Sequence, residues 1–289
     1  MKNVFRILAL IRPRIIALVL FTMTAAACTV GRQAPPWPLL VHALLGTAAI
    51  IAGALALNQR FELRGDARMA RTAGRPLPSG RLTRGQVTRF GIAASVAGLA
   101  YLALTTANVA LVALVAASWV IYLCTYTPLK SRTAWQTPIG AVAGAMPTLL
   151  GAATAETGFG TMALAMFGIV YFWQFPHAMA IAWLYRHQFA AAEVKLATVV
   201  DPSGRLAGRL AFWGAVALLP VSLIPVATGL ADGRYGLIAV LLGAGYLALA
   251  TGFLRRADDV TARRLLRGSL VYLPALLAAL LWSAGILPA

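Results

Sequence analysis

Asn58, Glu62 and Asp66 stand at intervals of four in the polar stretch NQRFELRGDARMARTAGRPLPSGR, which begins at Asn58. On a helix that spacing drifts only about 40° over two turns, so the three side chains share one face. The face carries two carboxylates and an amide, all of them oxygen donors. Such a stripe suits Mg²⁺, a hard cation that takes few protein carboxylates and fills its shell with water and phosphate oxygens. Arg60, Arg64 and Arg68 repeat the spacing two residues later and point the opposite way. Arg71 and Arg75, again four apart, suit a bidentate grip on diphosphate oxygens. Pro76 and Pro78 are expected to end the helix. The simpler alternative is that the acids only pair with neighbouring arginines on a solvated face.

The elements that must hold this stripe are apolar. Of 289 residues, 60% are hydrophobic and 11% charged, and the mean hydropathy is +0.79. Soluble domains carry about a quarter charged residues, so this chain has no polar skin with which to face water. Long apolar blocks rather than short alternating strands give an all-α integral membrane protein. Spans fit residues 14–31, 38–57, 89–107, 108–126, 138–155, 161–182, 210–231, 236–254 and 268–287. With the N-terminus inside, Arg32 and Arg234 are the only two of 25 basic residues left on outer loops. That asymmetry puts the N-terminus in the cytoplasm and the C-terminus outside. The net charge of +17 is therefore topological, and a nucleic-acid partner is excluded. Cys28 and Cys124 fall at opposite faces, too far apart for a disulfide.

Other polar groups cluster on the same inner side. The loop YTPLKSRTAWQ from Tyr126 holds Lys130, and the next span carries Gly140 and Gly144, a small-residue pair suited to close helix packing. Gln174 and His177 in YFWQFPHAMAIAW lie inside a span, where polar side chains face a bundle interior or a cavity. The second long inner loop, from Tyr185, holds Arg186, Glu193 and Asp201. The long inner loops follow spans two and six, which hints at a duplicated four-helix unit with one helix added. It predicts a single transmembrane domain, 1–289, in which loops 58–88 and 183–209 face each other across one active-site mouth.

The stretch NQRFELRGDARMARTAGRPLPSG resembles the first acidic motif, N-x-x-x-D/E-x-x-x-D, of the UbiA-type intramembrane prenyltransferases. Its M-x-R-T-x-x-R-P-L run is similar to the protohaem IX farnesyltransferases, as are LIRPRIIALVLFT from Leu10, YTPLKSRTAWQTPIGAVAGAMPTLLG from Tyr126 and WQFPHAMAIAW from Trp173. These stretches cover most of the first two-thirds of the chain; beyond Asp201 the match is to generic apolar helices. The resemblance implies nine helices around a cavity open to the inner face and to lipid. It implies transfer of a farnesyl group from farnesyl diphosphate to a vinyl group of haem b, with Mg²⁺, to give haem O for haem–copper oxidases. Carried onto this chain, Asn58, Glu62 and Asp66 hold Mg²⁺–diphosphate, and Arg71, Arg75 and Lys130 neutralise the leaving group. Trp173, Gln174, His177 and Arg186 belong to the acceptor side, with Trp173, Phe175 and Tyr126 shielding the allylic cation. The setting implied is a bacterial-type inner membrane, with haem A synthase or oxidase-assembly proteins as partners. One departure stands out. Where the family usually has an acid followed by tyrosine in the second inner loop, this chain has Gln188-Phe189. Glu193 and Asp201 are the acids left there to complete a metal site, with His187 as a stand-in ligand. The departure keeps open a quinone or chlorin-type acceptor, or a weakened haem-binding relative.

Overall fold

The computed structural model describes residues 9–286. Nine long helices account for most of them: α1 (Pro13–Gly31), α2 (Trp37–Phe61), α3 (Arg84–Thr106), α4 (Val109–Leu129), α5 (Gln136–Thr154), α6 (Thr161–Leu184), α7 (Arg205–Ala227), α8 (Gly233–Arg255) and α9 (Asp259–Ser283). Eight are long and apolar enough to cross a membrane; α5 is the exception. It begins Gln136-Thr137-Pro138, is rich in glycine and alanine, and packs against α1, α4 and α6. Protein rather than lipid is therefore its solvent, and it needs less hydropathy. Lipid-facing positions elsewhere are plainly apolar, as at Leu104 (85% exposed) and Val109 (81%).

The helix ends follow local chemistry. Thr83 and Gln86 form a capping box that starts α3, with Thr83 Oγ1 accepting from the Gln86 amide at 3.2 Å. Asn108, Asp232 and Asp258 cap α4, α8 and α9 in the same manner. The Asp258 cap explains why α9 begins nine residues before the apolar run expected at 268: its first turns, DVTARR, are helical but polar. Proline segments separate α1 from α2, and two residues, Ala107 with a left-handed backbone (φ 49°) and Asn108, turn α3 into α4.

Packing divides the bundle. Helices α6 to α9 share one large core in which Tyr235, Tyr246, Phe253 and Tyr272 are almost wholly buried. The Tyr235 hydroxyl donates to the Ser222 carbonyl at 2.8 Å, and the Tyr246 and Tyr272 rings stack 4.9 Å apart. Helices α1 to α5 form smaller apolar clusters, and a void lies between them. One irregularity borders that void. In α4 the segment Ile121–Tyr126 widens into a π-helix, so the Thr127 amide bonds to Tyr122 O, five residues back. Pro128 follows, and its missing N–H would leave the ordinary partner of Cys124 O unmade.

Candidate active site

The expected single helix across Asn58, Glu62 and Asp66 is broken in the structure. Helix α2 ends at Phe61, Leu63–Arg68 and Ala70–Ala73 are separate short helices, and Met69 is extended between them. The prolines are not what stops it. The chain turns away from the α2 axis at Glu62, and Thr72 Oγ1 donates to Asp66 O at 2.8 Å. Helical bonds nonetheless run beneath the stripe: Glu62 N donates to Asn58 O at 2.9 Å, and Asp66 N to Glu62 O at 2.8 Å. The one-sided alignment survives the kinks.

Each acid has a cation of its own. Asp66 is 1% exposed, and its Oδ2 accepts from Arg75 Nη1. Glu62 Oε1 accepts from Lys130 Nζ and Oε2 from Asn58 Nδ2 at 2.8 Å. Asn58 Nδ2 orients Glu62, while its amide oxygen lies 2.9 Å from Thr127 Oγ1, a hydroxyl with one proton that also reaches Tyr122 O at 2.8 Å. Burial raises the Glu62 carboxyl pKa, but Lys130, then Asn58 and Arg75, outweigh that and hold it below the usual range. Burial raises Asp66, with Glu62 adding and Arg75 opposing, and the net shift is upward. Lys130 is raised: burial opposes its charge, while Tyr126, whose ring lies 4.4 Å from Nζ, and Glu62 favour it.

One atom of this array has no partner. Asp66 Oδ1 is buried without a hydrogen bond. An orphaned carboxylate oxygen is costly unless something binds it, and a hard divalent cation would fit it. Among the described residues no cluster of three His, Cys, Asp or Glu exists, so such a cation would rest on Glu62 and Asp66 and on its ligand.

Two cavities meet here. A polar one of about 560 Å³ is lined by Arg12, Glu62, Asp66, Arg71, Arg75 and Lys130. An apolar one of about 500 Å³ runs up between α1, α2, α4, α5 and α6. Tyr122, Tyr126 and His177 line both. The apolar void exists because α5 has no side chains where aromatic and amide groups project: a Cβ at Gly140 would lie 2.6 Å from the Tyr126 ring, and one at Gly144 2.0 Å from Gln174 Oε1. Gln174 Nε2 donates to Ala141 O and Val170 O, each at 3.0 Å, which pins it along that wall.

The second long loop covers the mouth, and its one lining carboxylate is paired elsewhere. Gln188 Oε1 accepts from the Arg71 amide at 3.4 Å, and Arg71 lies over the rings of Tyr185 (5.0 Å) and Phe189 (5.6 Å). Glu193 lines the polar cavity but is 74% exposed and paired with Arg68 at 2.6 Å. Asp201 does not line it. Its oxygens accept from Ser203 Oγ (2.6 Å) and the Leu206 amide (2.7 Å), which tie down the start of α7. Arg186 is likewise outside both cavities, bound to Trp183 O at 2.8 Å and to Asp259 at 3.0 Å. Trp173 donates Nε1 to Ser269 O at 2.9 Å and stacks on His177, and Phe175 packs edge-on to Tyr171; neither faces the void. His187 lines neither cavity.

Three lining residues were missed by the sequence argument. Arg12 carries a left-handed backbone (φ 51°), a strained state costing about 1–3 kcal/mol, at the mouth of the site. Burial first, then nearby Arg75 and Arg71, lower its pKa, with Tyr122 and Glu62 opposing. Its signal was present in LIRPRIIALVLFT. Tyr122, four residues before Tyr126, was readable as a second ring on one face. Trp119 lines the apolar wall and carried no such signal.

Comparison with known proteins adds kinship to this geometry. A protoheme IX farnesyltransferase of Solibacter usitatus is 42% identical over 235 residues, covering 81% of this chain and 80% of that protein. One from Rhodopirellula baltica is 38% identical over 280 residues, covering 93% and 96%. Among solved structures, one described as digeranylgeranylglyceryl phosphate synthase superposes with a TM-score of 0.84 at 13% identity, covering 99% of this chain and all of that one. A UbiA homologue from Archaeoglobus fulgidus bound to GPP and Mg²⁺ gives 0.63 at 15%, covering 95% and 99%; likeness at this level speaks to fold alone. The model for the UbiA prenyltransferase family matches residues 19–286. With its acid–arginine mouth beneath a membrane cavity and a match running through nearly all of its length, the chain belongs to the UbiA prenyltransferase family.

Proposed function

We propose that this protein transfers a farnesyl group from farnesyl diphosphate to a vinyl group of haem b, giving haem O and diphosphate. The observation that carries the reading is the unpartnered Asp66 oxygen, set among Arg12, Arg71, Arg75 and Lys130 where a polar mouth opens into an apolar cavity. That is the arrangement an amphiphile with a diphosphate head and an isoprenoid tail requires. The acceptor comes from the relatives, which are named for protoheme IX. The Archaeoglobus homologue is described as bound to GPP and Mg²⁺, which supports the same metal here, with Glu62 and Asp66 to hold it.

The chain's own groups divide the work. Lys130 and Arg75, now paired with Glu62 and Asp66, turn to the diphosphate when it enters, and Arg12 and Arg71 add charge at the rim. Mg²⁺, when bound, supplies further neutralisation of the departing diphosphate. The allylic C–O bond breaks, its electron pair leaving with diphosphate. Tyr122 and Tyr126 then flank the cation at the junction of the two cavities. The vinyl π electrons form the new C–C bond. Water adds to the resulting cation and loses a proton to solvent, leaving a hydroxyethyl-farnesyl group.

Loops 58–88 and 183–209 form the mouth of this single transmembrane domain on the cytoplasmic side of an inner membrane, as the arginine distribution supports. Haem O then passes within the membrane to haem A synthase or oxidase-assembly proteins. The test is membranes containing the protein, supplied with haem b, farnesyl diphosphate and Mg²⁺. Haem O is expected by chromatography and mass. A wild-type preparation that binds haem and yields no product would overturn the reading.

A further inference from the structure

We infer that His177 Nε2 ligates the iron of the acceptor haem and that Ser269 on α9 is the positioning residue that frees it to do so. The inference rests on the haem-farnesylation reading above.

Hydrogen-bond accounting carries it. His177 Nδ1 and Ser269 Oγ are 2.8 Å apart. A serine hydroxyl has one proton, and that of Ser269 is given to Leu266 O at 2.6 Å. With that proton placed on Leu266 O, Ser269 Oγ accepts from the imidazole, and this assignment of the network puts the ring proton on Nδ1. The lone pair is then on Nε2, which has no protein partner among the described residues, while the ring lines both cavities. The ring cannot easily turn. Trp173 stacks on it at 4.7 Å and 21°, and that indole is itself fixed by donating to Ser269 O at 2.9 Å. Tyr246 holds the backbone beneath, donating to Trp173 O at 3.3 Å.

Two roles use a neutral Nε2 lone pair: base toward water, or ligand to a metal. A base must carry a proton, and an imidazolium in a membrane cavity requires a carboxylate at Nδ1 to offset its burial. Here Nδ1 meets a neutral hydroxyl, and among the described residues no carboxylate is hydrogen-bonded to the ring. A ligand needs no charge. Metal-binding histidines characteristically donate their other N–H to a fixed oxygen, the pattern formed by His177, Ser269 and Leu266. Ligation would hold the macrocycle by its centre and leave its vinyl edge to meet the allylic carbon near Tyr122 and Tyr126. No proton is released in the step.

The protein in lipid nanodiscs is titrated with ferric haem b, optical and EPR spectra are recorded, and haem O formation is assayed in the same preparation. Wild type is expected to show nitrogenous axial ligation. His177→Gly loses that signature and added imidazole restores it, an outcome that misfolding would not produce. Ser269→Ala retains the ring but binds haem about 10-fold more weakly, as expected when a ligand loses its hydrogen-bond partner, with an altered spectrum. Identical wild-type and His177→Gly spectra overturn the inference; if haem O still forms, the farnesyl-transfer reading stands alone. A histidine-dependent spectrum without any haem O supports ligation and removes the reading.

Discussion

The two long inner loops occupy equivalent places, after α2 and after α6, yet they treat their acidic residues in opposite ways. In the first, Glu62 and Asp66 are drawn toward the membrane, shielded, paired with Lys130 and Arg75, and left with one unpartnered oxygen. In the second, Asp201 ties down a helix and Glu193 sits in an exposed ion pair. Burial makes a carboxylate's charge worth stabilising and therefore usable; exposure lets water screen it. One loop carries the chemistry and the other covers it. The contacts between them agree with that division: Gln188 to the Arg71 amide and Glu193 to Arg68.

The contrast can be broken most directly at Asp66. Asp66→Ala is expected to lower haem O formation by about 10²–10³-fold, the scale for losing a group that stabilises transition-state charge. Asp201→Ala should leave turnover per folded molecule unchanged and lower only the midpoint of thermal unfolding. Equal losses in the two variants would erase the distinction. Lys130→Met, which keeps much of the stem and removes the charge, should cost about 10–100-fold in kcat/KM for farnesyl diphosphate while haem binding persists in an optical titration. The raised pKa of Asp66 gives a milder effect. Its neutral form persists above the ordinary value of 3.8, and Mg²⁺ requires the ionised form. Mg²⁺-dependent diphosphate binding should therefore decay as pH falls through that raised value, earlier than an unperturbed aspartate would allow; a pH series by calorimetry reads it. Gln188→Glu would place an acid on the covering loop beside Arg71 and sharpen the comparison by lowering the Mg²⁺ concentration for half-maximal rate a few-fold. The smallest effect belongs to Arg68→Ala. A pair this exposed contributes about 0–1 kcal/mol, and turnover should change by less than about 2-fold.

Much of this was legible in the residues because membranes impose simple rules. Apolar runs define the long helices, and i, i+4 spacing aligns Asn58, Glu62 and Asp66 even though the helix beneath them is broken. Rotation about single side chains was not legible. Trp173 and Arg186 share segments with true lining residues yet turn toward α9, since indole and guanidinium groups follow the nearest carbonyl or carboxylate. Asp201 looked available as a ligand only because capping bonds to Ser203 and Leu206 cannot be seen without the turn that makes them. Ser269 gave no sign at all. It lies among Leu and Val some ninety positions from His177, and only tertiary packing joins the two.

The widened turn at Ile121–Tyr126 has a consequence for how this site tolerates change. Inserting a π-turn advances a helix by one residue without lengthening its span, so α4 keeps two angular phases on one rod. The upper phase faces Ser95 and Leu102 of α3; the lower delivers Tyr122, Tyr126 and Thr127 to the mouth. Deleting one residue within the segment would restore a regular helix and swing everything after it by about 100°. Lys130 would leave Glu62 and Thr127 would leave Asn58, though no functional side chain had been altered. Substitutions above the turn act on the packing against α3 and on the apolar wall at Trp119, and those below act on the polar mouth.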